Sequence, residues 1–132
     1  MSLKLRLLQH KRKDLNGKWY ARVTKGDEIH TRQLANAICH QTSFTEADVH
    51  GVIRALTDEM RRQLQSGNTV VIDDFGRFHL TIKSELVDKK EDFDLKQHVK
   101  RIMCKFTPSA TRNPFNRRLE HNFIEGTELS RA

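Results

Sequence analysis

From Thr45 to Leu64, the apolar residues Ala47, Val49, Val52, Ile53, Leu56, Met60 and Leu64 recur at helical spacing. The pattern predicts one long helix. Thr45 is placed to cap it, Asp48 occupies the capping-box position, and Ser66-Gly67-Asn68 closes it with glycine just past the end. Its apolar stripe is too wide for a helix lying free in a groove, so this element needs a core or a partner surface. A shorter helical pattern precedes it, with Thr31 as cap and Leu34, Ala35, Ile38 and Cys39 on one stripe.

The long helix runs into Val70-Val71-Ile72-Asp73-Asp74-Phe75-Gly76-Arg77-Phe78-His79-Leu80. Three β-branched residues, two acids and a glycine between phenylalanines predict a strand, a turn or bulge, and a second strand through Ile82. Gly76 takes the special backbone position, and Phe75 and Phe78 anchor a core. Lys83 to His98 is a polar excursion, acidic over Lys89–Asp94. Val99 to Phe106 alternates as a returning strand with Lys100, Arg101 and Lys105 interleaved, and Thr107-Pro108-Ser109 ends it. A short basic helix with Arg112, Arg117, Arg118 and Leu119 is expected next, then a last strand at Phe123-Ile124 and a frayed tail over 126–132. At the other end, Leu3–Leu7 and Trp19–Val23 alternate around Asn16-Gly17, a hairpin signal, giving one apolar and one basic face.

Charge narrows the function classes. The chain of 132 residues carries 24 Lys+Arg against 17 Asp+Glu, a formal net charge of +7. Residues 1–25 hold eight bases and one acid, and residues 99–132 seven and three, whereas the middle is mildly acidic. Such a balance favours a polyanionic partner. No apolar run approaches bilayer-spanning length and no signal-peptide core is visible, so a cytoplasmic chain without a membrane partner is expected. Cys39 and Cys104 read as buried free thiols. His30, His40 and His50 share no face, and no metal-binding or phosphate-loop motif occurs. No enzyme, cofactor, metal or small-molecule substrate is expected.

The order helix, longer helix, Gln65-Ser66-Gly67-Asn68, strand, Asp74-Phe75-Gly76-Arg77-Phe78, strand, excursion, strand, Phe106-Thr107-Pro108 resembles the bacterial histone-like HU and integration host factor family. Asp74 stands where that family has the first glycine of Gly-Phe-Gly-x-Phe. The likeness covers about residues 30–119, with a hairpin extension over 1–29 and a strand or tail over 120–132. A hairpin before such a core is similar to the variant histone-like proteins of Bacteroides and its relatives.

The resemblance implies an α+β HU-like fold: a helical hairpin plus an antiparallel sheet with arm-like strands, and here an added N-terminal β-hairpin. It further implies an intertwined homodimer that binds double-stranded DNA with little sequence preference, in the nucleoid. The expected contacts are Lys83, Lys100, Arg101 and Lys105 on the arm-like strands, and Arg77 and Arg112 on the body. Lys11, Arg12 and Lys13 on the hairpin loop are auxiliary, and the Gly76 backbone would meet a phosphate. The excursion lacks the family's Arg-Asn-Pro wedge, so sharp bending through that element is not expected. Arg112-Asn113-Pro114 spells the letters but lies beyond Pro108, and is read as coincidence. The alternatives are an HU-fold protein-interaction module that has lost bending, and, further off, an RNA-binding domain.

Overall fold

The structure, a computed structural model, describes residues 2–132. The chain forms two compact units, Met1–His30 with Ile124–Ala132, and Thr31–Phe123.

In the larger unit, α1 (Thr31–Cys39) turns through residues 40–45 into α2 (Glu46–Gln65). The turn is tied by Asn36 Nδ2, which donates to Glu46 Oε2 at 3.0 Å, and by Arg32, 3.5 Å from the same carboxylate. The expected capping box is present: Thr45 Oγ1 accepts from the Asp48 N–H, and Asp48 Oδ2 accepts from the Thr45 N–H. Past the end, Gly67 (φ 88°) donates to the Leu64 carbonyl and Asn68 to that of Gln63, a Schellman closure of the last turn.

A three-stranded antiparallel sheet follows in the order β3 (Val70–Ile72), β4 (Gly76–Ser84), β5 (Val99–Pro108). The hairpin between β3 and β4 turns on Asp73-Asp74, with the Phe75 N–H donating to the Ile72 carbonyl. Asp74 is left-handed (φ 61°), and Asn122 Nδ2 donates to its carbonyl. Gly76 is required by space. A Cβ there would sit 2.5 Å from both the Phe106 ring and the Thr107 carbonyl oxygen. Around it Phe75, Phe78, Phe106 and Phe123 form a ring cluster with centroids 4.7–5.9 Å apart. Phe75 and Phe78 therefore anchor as expected, although Phe75 stays 43% exposed.

Only Ala35 and Val49 are buried apolar side chains among the described residues. Val52 is 67% exposed, and the sheet face that meets α2 leaves Ile82 and Ile102 uncovered. A groove of about 400 Å³ between α2 and the sheet is lined by Met60, Leu64, Phe78, Leu80 and Cys104. Both cysteines are free, but Cys104 is exposed and Cys39 only half-buried. This corrects the expectation of two buried thiols: Cys104 lines the open groove beside α2, and Cys39 is the last residue of α1, where the helix gives way to a loop.

The excursion between β4 and β5 is a 3₁₀ turn (Lys90–Asp92) and one helical turn, α3 (Leu95–His98), capped by Asp94. Phe93 faces the His98 ring at 5.4 Å, so it packs the excursion on itself.

The expected basic helix after Pro108 is a hairpin instead, β6 (Ala110–Arg112) with β7 (Leu119–His121). Asn113 decides it. Its Oδ1 accepts from the N–H groups of Phe115 and Asn116, its N–H donates to the Arg118 carbonyl, and the chain reverses. Phe123-Ile124 is not a strand, since the pairing residues lie at 119–121.

In the smaller unit, β1 (Ser2–Gln9) pairs antiparallel with β2 (Trp19–Val23), the expected hairpin. Asn16 and Gly17 both adopt positive φ, next to a 3₁₀ turn over Lys13–Leu15. The tail expected to fray is ordered as β8 (Glu128–Arg131), which pairs in parallel with β1 and places Leu129 beside Leu3. The alternation puts Leu3, Leu7, Trp19, Val23 and Leu129 on one exposed face, and Lys4, Arg6 and Arg22 on the other.

Candidate nucleic-acid interface

Strand alternation decides which bases share a surface. In β4 and β5, Arg77 lies opposite Thr107, His79 opposite Lys105, Thr81 opposite Met103, and Lys83 opposite Arg101. These rows form one face, and the opposite face carries Phe78, Leu80, Ile82, Ile102, Cys104 and Phe106. Four of the expected contact residues, Arg77, Lys83, Arg101 and Lys105, are thereby brought together with no carboxylate among those strand positions. From Arg77 to Lys83 the face runs about 20 Å, at roughly 3.3 Å per residue.

Lys83 and Arg101 are directly opposite each other, as are His79 and Lys105. Like charges in this relation destabilise a sheet by a few tenths of a kcal/mol, on the order of 0.2–1. The sequence tolerates one such row on this face, Lys83 with Arg101. His79 was missed in the sequence reading. The signal available was its odd-numbered position in phase with Arg77 and Lys83.

The remaining expected contacts fall elsewhere. Pairing shifts register between Lys83 and Ser84, and Lys100 stands beside Glu85, with Nζ 3.7 Å from Oε1. Its charge is half answered within the chain. Arg112 ends β6, and Arg117 and Arg118, which the sequence reading assigned to a helix, flank the turn of the same hairpin. Gly76 opens β4 and is buried; its neighbours Asp73 and Asp74 line a polar recess with Arg77, Pro108 and Ser109. Lys11, Arg12 and Lys13 are exposed on the β1–β2 loop of the smaller unit.

No group of three or more His, Cys, Asp or Glu among the described residues is arranged to hold a metal ion. No helix among them is long and apolar enough to cross a membrane.

The architecture can be matched to known proteins. The family model HU-HIG, described as an HU domain fused to wHTH, Ig, or Glycine-rich motif, matches residues 1–120. The chain belongs to this HU-HIG family. The HU-HIG chain matches none of the curated proteins. Among solved structures it is similar to a candidate bacterial DNA-binding protein from Bacteroides vulgatus ATCC 8482, with a TM-score of 0.66 at 12% identity. The match covers 98% of this chain and 47% of that one, so the HU-HIG chain spans about half the length of its structural relative. At this identity the likeness is one of fold. The match from residue 1 takes in the N-terminal hairpin together with the HU core.

Proposed function

We propose that this HU-HIG chain binds double-stranded DNA through the basic face of β4 and β5, as a homodimer, with little dependence on sequence. The observation that carries this reading is one strand face that gathers Arg77, Lys83, Arg101 and Lys105 without a carboxylate, with Lys83 directly opposite Arg101. The repulsion between Lys83 and Arg101 is relieved when a polyanion lies across them. A 20 Å stripe matches about six base pairs of duplex at 3.4 Å each, and phosphate neutralisation with counterion release supplies the affinity. The membership in an HU-domain family and the DNA-binding description of the structural relative support the same partner. A nucleoid role, and kinship with the Bacteroides-type variants, follow on this reading.

Dimerisation is argued from the uncovered groove between α2 and the sheet, and from Val52, Ile82 and Ile102 on open apolar surfaces. With only Ala35 and Val49 buried among the described apolar residues, a monomer lacks the core to hold these elements. A second copy presenting the same surfaces supplies it.

The test is fluorescence anisotropy of a 30-base-pair duplex at several salt concentrations. Binding at low salt that falls steeply with rising salt is expected. Lys83→Ala, Arg101→Ala and Lys105→Ala should each reduce the salt slope by about one unit per protomer on any sequence. Lys100→Ala should reduce it less, because Glu85 already answers that charge. No binding at low salt would overturn the reading. It would then favour a protein-interaction module, for which the exposed apolar face of β2, β1 and β8 is the supporting observation.

A further inference from the structure

The β6–β7 hairpin presents an aromatic ring at a predominantly cationic tip. From Thr111 to Leu119 the chain holds Arg112, Arg117 and Arg118 and no acid, and Phe115 at the turn is 96% exposed. The tip is preorganised. Asn113 Oδ1 accepts from Phe115 and Asn116, at 2.9 and 3.3 Å, and Arg117 donates to the Asn113 carbonyl at 2.9 Å. Arg118 donates to Asn116 Oδ1 at 2.9 Å, and Asn113 Nδ2 donates to Glu120. These bonds hold Phe115 out at little further entropic cost on binding.

Other apolar residues on loops are set differently. Phe44, Leu86 and Leu95 each have a carboxylate within two residues: Glu46, Glu85 and Asp94. At the β6–β7 tip the neighbouring carboxylate, Glu120, is engaged by Asn113 Nδ2, and three guanidinium groups outnumber it, so a polyanion is attracted there. A ligand that offers both phosphates for three guanidinium groups and a flat apolar surface for a ring is a stacked nucleic acid.

We propose that, on duplex DNA, this hairpin seats Phe115 against the base stack and unstacks a step. Arg112, Arg117 and Arg118 hold the flanking phosphates, and the duplex kinks. The proposal rests on the duplex-binding reading and adds to it the deformation mode and the element responsible. The excursion between β4 and β5, with its acids and a Phe93 that faces His98, has no part in it. Pyrimidine–purine steps, which unstack most readily, are the preferred sites.

The experiment uses the full chain and a 30-base-pair duplex with a donor and acceptor dye at its ends and 2-aminopurine at several interior steps. Saturating protein should bring the ends together and raise 2-aminopurine emission. Phe115→Ala should lose both signals and keep salt-dependent anisotropy, with affinity lower by about tenfold. Phe115→Trp should restore both. Since Phe115 is almost fully exposed, its truncation leaves the fold intact. The proposal is overturned if Phe115→Ala bends and unstacks like the parent, if the parent binds without either signal, or if single strands outcompete the duplex. No binding by the parent at low salt would remove the duplex reading itself, a result the anisotropy channel reads separately.

Discussion

At Asp74 the backbone adopts a left-handed conformation (φ 61°) that costs an L-residue about 1 kcal/mol and glycine almost nothing. The histone-like family resembled by this segment has a glycine there, and the geometry accounts for it. Asp74→Gly should raise stability by about 0.5–1 kcal/mol in urea denaturation, because the turn keeps its bonds and sheds the strain. Gly76 behaves in the opposite way. Gly76→Ala drives a methyl group into the Phe106 ring and the Thr107 carbonyl, and should cost about 2–3 kcal/mol in the same assay. Neighbouring residues of one turn thus respond with opposite signs, a contrast that a generic loop would not give. The importance of Gly76 was legible in the sequence through its two flanking phenylalanines. The strain at Asp74 was not, since two consecutive acids do not reveal which one turns left-handed.

Among the elements, α2 is the most fully written in its own residues. Its cap, box and closing glycine are local, so the sequence reading of Thr45, Asp48 and Gly67 agrees with the structure. Thr45→Ala should cost about 1 kcal/mol of thermal stability by removing an acceptor from the first turn. On its exposed flank Glu59 is hydrogen-bonded first by Arg62 and then by Gln63, which together hold its carboxyl down to about 2 from 4.5. A depressed carboxyl contributes stability that is present above the unfolded value and lost as pH falls from 4.5 towards 2. The side chain is fully exposed, so the effect is small. Glu59→Gln should flatten a slight loss of helicity in that window, followed by circular dichroism. The β6–β7 hairpin was illegible for the converse reason. Pro114 imitates the first position of a helix and its arginines imitate a polar face, while the bonds that decide the matter reach from Asn113 to Arg118 and from Asn122 to Asp74. The basic face of β4 and β5 was half legible. The family resemblance pointed to Arg77, Lys83, Lys100, Arg101 and Lys105 alike, but the register shift that leaves Lys100 without a cross-strand partner depends on strand pairing.

At the scale of the whole molecule, the apolar surfaces left open on α2 and the sheet are those that the proposed dimer would cover. If a second copy covers them, Val52→Asp together with Ile102→Asp should shift sedimentation from dimer towards monomer and lower the melting temperature with it. The ordered last strand was the other feature beyond sequence reading. Glu128–Arg131 is too short and too polar to announce itself, and it becomes a strand only because β1 offers an unpaired edge. That parallel contact joins Ser2 to Glu128 and closes nearly the whole chain into one loop. Closing such a loop from a disordered coil is entropically slow. Once residues 31–123 are compact, their ends lie within one molecular diameter and the effective loop shrinks. The order of folding is therefore imposed by connectivity: the larger unit first, the third strand of the smaller sheet last. Pulse-labelled hydrogen exchange should find the amides of β4 and β5 protected before those of β8. Early protection of β8 would mean that the tail finds its place without waiting for the centre.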